Sequence, residues 1–77
     1  MAKQKYIVVI EQDEDGIYIG SVPALKGCHS QGDTLDELLE NMKEAIEAHL
    51  EYLKHTRDEV PADRFNGISE IEIEVAE

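Results

Sequence analysis

Three chain reversals are written into the 22 residues from Asp13 to Thr34, and each carries a residue with a steric reason to be there. Asp13-Glu14-Asp15-Gly16 is a four-residue turn ending in glycine, which tolerates φ > 0. Pro23 has no N–H to donate, so it ends the strand before it, and Ala24-Leu25-Lys26-Gly27 follows as a loop. Gly32 breaks a further pairing just before Thr34. Short strands must fill the intervals, and a long helix can begin only after them.

The strand intervals read clearly. Lys5 to Gln12 contains Tyr6-Ile7-Val8-Val9-Ile10, β-branched or aromatic throughout, and so apolar on both faces. That run predicts a central strand. Ile17 to Val22 predicts the returning strand, and Cys28 to Gln31 a short third one. Thr34 and Glu37 have the spacing of a capping box, in which the threonine oxygen accepts the Glu37 N–H and the glutamate reaches back. The helix is predicted from Leu35 to about His55. Leu35, Leu38, Leu39, Met42, Ala45, Ile46, His49, Leu50 and Leu53 recur on one face. Acids sit early and Lys54, His55 and Arg57 late, as the helix dipole favours.

Thr56 to Gly67 is polar and irregular, punctuated by Pro61 and Gly67. From Ile68 to Val75, Ile71, Ile73 and Val75 alternate with Glu70, Glu72 and Glu74, the pattern of a strand with one buried face. The expected fold is one α+β domain over residues 1–77, in the order β-β-β-α-β: a small mixed sheet with one long helix on one face. If the last strand lies beside the first, the two are parallel, joined by a right-handed crossover. A helix of about 21 residues is about 31 Å long, and a six-residue strand only about 20 Å. The helix should overhang the sheet and leave Leu50 and Leu53 for an oligomer interface.

Size supports that expectation. A domain this small hides only about 60% of the surface its unfolded chain would expose. With one cysteine there is no intrachain disulfide, and no metal-ligand cluster is visible, so self-association, as a dimer or tetramer, is the remaining source of burial. Lone Cys28 suggests a reducing compartment. No apolar stretch reaches membrane-spanning length and the N-terminus lacks a signal-peptide core, which together point to the cytoplasm. The net charge of −11, from 7 basic and 18 acidic residues, opposes nucleic-acid binding and favours a basic partner. An acidic surface also serves plain solubility.

No chemistry-bearing constellation is complete. A two-metal nuclease needs an acid in mid-strand, but the middle of the first strand is Val8-Val9, with Glu11 only at its end. Adjacent strand residues Cys28 and His29 point to opposite faces, which argues against an activated thiol and makes Cys28 a small core residue. The helix keeps like-charged pairs at Glu40–Glu44 and Glu47–Glu51, each costing a few tenths of a kcal/mol. Acidic rows retained despite self-repulsion suit either a solvated face or a basic partner.

The ordered set Asp15-Gly16-Ile17-Tyr18, Val22-Pro23-Ala24-Leu25-Lys26-Gly27-Cys28-His29 and Gly32-Asp33-Thr34 resembles the short HicB-like antitoxins of toxin–antitoxin pairs, over about residues 5 to 54. The resemblance implies a partial ribonuclease-H-like fold. It also implies a non-enzymatic function: neutralising a small, basic, HicA-like messenger-RNA-cleaving toxin by covering its active and RNA-binding surface. His29, Glu40, Glu44, Glu70, Glu72 and Glu74 are the expected partner-binding residues, with no cofactor or metal. Longer family members carry a C-terminal DNA-binding domain, whereas this chain ends at Glu77, so no direct nucleic-acid binding is expected of it alone. The alternatives are an orphan HicB-like oligomeric binding or regulatory domain without a toxin, and a weak metal-dependent nuclease.

Overall fold

The structure is a computed structural model that describes residues 4–57 and 59–76. Met1–Lys3, Asp58 and the terminal Glu77, on which the expectation about the chain's end rested, lie outside the described residues. Strands β1 (Val9–Gln12), β2 (Tyr18–Ser21) and β3 (His29–Gly32) form one antiparallel sheet in the order β1-β2-β3. Helix α1 (Leu35–Thr56) follows and packs on one face. This is the expected α+β arrangement through its first four elements.

The turns set the register. Asp13 accepts the N–H groups of Asp15 and Ile17 on its carboxylate, both at 2.9 Å, while Gly16 takes φ 84°. The hairpin pairs Ile10 with Gly20 and Gln12 with Tyr18. After Pro23 the chain folds into overlapping turns, Leu25 N–H to Val22 O at 3.1 Å and Cys28 N–H to Leu25 O at 3.0 Å. They turn Leu25 and Cys28 inward. Thr34, in extended conformation, accepts the Glu37 N–H at 3.1 Å and opens the helix. Arg57, at φ 60°, closes it with its N–H directed at the Leu53 and Lys54 carbonyls.

The core is small: Val22, Leu25, Cys28, Leu38 and Met42. Tyr6, Val8, Tyr18, Ala45, Ile46, Leu50 and Leu53 are half-buried around it. Leu50 and Leu53 therefore have more cover from their own chain than the overhang argument implies, although α1 at about 33 Å far exceeds the four-residue strands.

The C-terminal strand is the correction. No strand forms between Ile68 and Val75 among the described residues, so the sheet has no parallel strand and is not mixed. Ile68, Ile71, Ile73 and Val75 are 80%, 81%, 71% and 83% exposed. Alternation states which face of a segment seeks cover, but a strand also needs a ladder partner, and this segment has none among the described residues. Hence β1 is an edge strand, not the expected central one. Its ladder is also shorter than Lys5–Gln12, because β2 ends at Ser21 and leaves residues 5–8 unpaired. The protruding segment makes the molecule long, 52 × 27 × 20 Å with a radius of gyration of 15.1 Å, against about 11–12 Å for a compact chain of this length.

Candidate partner-binding surfaces

Gly20 fixes which sheet face meets the helix. A Cβ there would approach Met42 and Leu38 within 3.0–3.2 Å, so Gly20 and its cross-strand partners Ile10 and Ser30 lie on the α1 side. The alternate set, Ile7, Val9, Glu11, Ile19, Ser21, His29 and Gln31, lies on the opposite face. Among the described residues no strand or helix covers that face. Ile7 and Ile19 are 43% and 36% exposed, and Val9 is half-buried. Together they make an apolar strip in an otherwise polar face.

His29 stands on this open face, exposed, with Nδ1 3.0 Å from the Gly27 carbonyl oxygen. With the proton on Nδ1 the ring donates to that carbonyl and leaves Nε2 facing outward as an acceptor. Its neighbour Cys28 is buried on the other side, and burial pushes its thiol above the ordinary value. The two side chains diverge, as adjacent strand residues must.

Glu40 and Glu44 are exposed on the outer surface of α1. The helix lies between them and the sheet, so they face away from His29. Among the described residues one contact of salt-bridge length is found, His55 with Glu51 at 3.8 Å, charged only when His55 is protonated, and neither Glu40 nor Glu44 has a cation partner there. Glu70, Glu72 and Glu74 lie on the protruding segment, all exposed. The six expected partner-binding residues therefore fall on three separate surfaces. Among the described residues no group of three or more His, Cys, Asp or Glu side chains could hold a metal. Among the described residues no helix is long and apolar enough to cross a membrane.

Sequence reasoning overlooked the open-face strip. Its signal was the unbroken run Tyr6–Ile10, which places Ile7 and Val9 opposite the helix-facing Tyr6 and Val8. The apolar second face is real, but solvent rather than another layer meets it.

The model of the HicB-like antitoxins of bacterial toxin–antitoxin systems matches residues 6–74. The chain belongs to the HicB-like antitoxin family. Relatives of this HicB-like chain span bacteria and archaea. A UPF0150 protein of Synechocystis is 59% identical over 54 residues, 70% of this chain and 78% of that one. One from Archaeoglobus fulgidus is 48% identical over 69 residues, covering 90% of this chain and 94% of its own. One from Thermoplasma acidophilum is 49% identical over 65 residues, 84% of this chain and 94% of its own. Antitoxin membership implies a toxin partner.

Proposed function

We propose that this HicB-like chain neutralises a small basic, HicA-like toxin, holding it on the open sheet face and covering the surface with which the toxin binds and cleaves messenger RNA. The observation that carries the reading is the apolar strip Ile7–Val9–Ile19 beside His29, uncovered in a chain of net charge −11. Such an arrangement suits a partner interface with an apolar centre and a polar rim. The acids at Glu40, Glu44, Glu70, Glu72 and Glu74 then act at longer range, drawing in a basic partner and competing with RNA for its cationic face. On this reading the chain is a cytoplasmic binding protein rather than an enzyme, with Leu50 and Leu53 contributing to self-association.

Co-expression with the product of the adjacent gene tests this. The chain should restore growth, stop messenger-RNA cleavage and co-purify with a basic partner. Ile19→Glu should abolish rescue while leaving the helical circular dichroism intact. If no adjacent product is toxic and nothing co-purifies, the orphan oligomer reading replaces this one. The exposed C-terminal segment favours that second reading independently of any toxin.

A further inference from the structure

We propose that the C-terminal segment Ile68–Val75 leaves its own chain to become the fourth strand of a second copy, pairing with the open edge of that copy's β1, and that the exchange is reciprocal. The structure contains both halves of this joint, each unoccupied. The donor is the protruding segment, with Ile71, Ile73 and Val75 on one side and Glu70, Glu72 and Glu74 on the other. The acceptor follows from the ladder. Asp13 N–H donates to Ile17 O at 3.0 Å, so Asp13, Glu11 and Val9 direct their backbone groups toward β2. Val8, Ile10 and Gln12 must direct theirs outward. None of these three makes a further backbone–backbone bond among the described residues outside the sheet.

The edge opens onto a groove of matching character. Between β1 and α1 an open channel is lined by apolar Tyr6, Val8, Leu39, Met42 and Ile46, together with Gln4, Lys43 and Glu47. A strand added beside β1 with its isoleucines turned toward α1 would fill that channel and leave its glutamates on the other face, the side of Lys5.

The connection explains why the donor does not close on its own groove. Asp63 accepts the Ile7 N–H, and Pro61 O accepts the Tyr6 hydroxyl. By the alternation along β1, Ile7 directs its N–H to the β2 side, beyond the point where Pro23 has ended β2. Residues 59–62, 64 and 65 accordingly line a shared cleft with Pro23 and Ala24. The chain is thus fastened on the side of β1 away from the open edge. Gly67, at φ 151°, then directs the segment outward, with nothing within 4 Å of its Cβ position. A second, identical chain supplies both the vacant edge and a compensating donor, so a two-fold pair leaves neither half exposed.

The inference does not depend on the toxin reading, and salt separates the two. Copies that each carry −11 repel, so the homodimer should tighten as salt rises, whereas a complex with a basic toxin should loosen. Sedimentation at micromolar concentration should show a dimer. The double substitution Ile71→Glu with Ile73→Glu should give a monomer with unchanged helical circular dichroism, because both positions are solvent-exposed in the single chain. Ile10→Pro removes an outward N–H of the edge and should also give a monomer. Mixing the two variants should restore a 1:1 dimer, since one intact donor and one intact acceptor remain. Failure of that mixture to dimerise overturns the exchange, as does persistence of the dimer in both single preparations. If Ile10→Pro loses its helix signal, hydrogen exchange of the unaltered protein decides. Protection of the Ile71 and Ile73 amides that rises with protein concentration supports the exchange. Protection in a monomer would place the strand in its own chain, and protection only with toxin would make the toxin its acceptor; either result overturns the proposal.

Discussion

A methyl group at Gly32 would sit 2.6 Å from the backbone nitrogen of Leu38 and 3.0 Å from its Cα, whereas one at Gly20 meets the Met42 side chain at 3.0 Å. The first obstacle is the opening turn of α1, which cannot move without disturbing the Thr34 cap. The second is side chain rather than backbone: Met42 at its Sδ and Cγ, and a Leu38 methyl at 3.2 Å, which can repack. Gly32→Ala should therefore cost about 2–3 kcal/mol and Gly20→Ala clearly less, as read from urea midpoints. The role of Gly32 was only partly visible in the sequence. It ends the third strand as expected, but its close approach to the helix depends on where the helix packs, which no local pattern states. At Cys28 the burial that raises the thiol's pKa makes stability depend on pH. Below the ordinary thiol value, 9.0, the group is neutral in folded and unfolded chains alike, and its contribution is fully present. Above that value the unfolded chain ionises first, so stability falls as pH rises toward the raised folded value. Tyr6, raised by its own burial and then by the Asp63 carboxylate, extends the loss above 10.0. Urea midpoints followed from neutral to alkaline pH should fall, and the first part of that slope should flatten in Cys28→Ala.

At the scale of elements, α1 shows how a helix ends under constraint. Arg57 adopts φ 60°, a left-handed conformation that costs a side chain with a Cβ about 1–2 kcal/mol. Its N–H nonetheless closes the last turn onto Leu53 and Lys54 carbonyls. Arg57→Gly relieves the steric cost while keeping that bond, and should raise stability by about 1 kcal/mol, measured by thermal or urea unfolding. A loss of stability would mean that the arginine side chain contributes more than its backbone strain removes. The helix and the second and third strands were legible within a residue or two because their signals are local: a capping threonine, an Asp-Gly turn, a proline without an N–H; the first strand begins at Val9, four residues later than its apolar run suggested. The fourth strand had an equally clear alternation, Ile71-Glu72-Ile73-Glu74-Val75, and yet it is unpaired. Its partner edge is not local, and in the exchanged dimer proposed above it belongs to another molecule. The same reasoning explains β1. Tyr6–Ile10 correctly signalled two apolar faces, but whether an adjacent strand and a covering layer exist is not written in the run itself. For the candidate site, His29 and the acids were nominated one by one from the sequence, while their separation onto three surfaces became visible only once α1 was seated on one side of the sheet.

At the scale of the whole molecule the dominant property is charge. With 18 acidic and 7 basic residues, the folded chain holds like charges closer together than the unfolded chain does. The Glu40–Glu44 pair is a local instance, exposed and without an ion-pair partner among the described residues. Replacing one member with lysine turns a repulsive i, i+4 pair into an attractive one, a gain of about 0.5–1 kcal/mol in helix stability. For a protein judged by stability alone, Glu44→Lys is an improvement. For a protein that meets a basic toxin, the same change removes attraction at the partner's approach. The prediction is therefore a divergence: the unfolding midpoint of Glu44→Lys should rise, while toxin association slows and its salt dependence becomes shallower. Thermal unfolding and stopped-flow association at two ionic strengths would measure the two sides. A variant that gains stability with no change in association would show that the outer acids of α1 form a solvated face. Toxin capture would then rest on the open sheet face, through the proposed contacts of Ile7, Val9, Ile19 and His29.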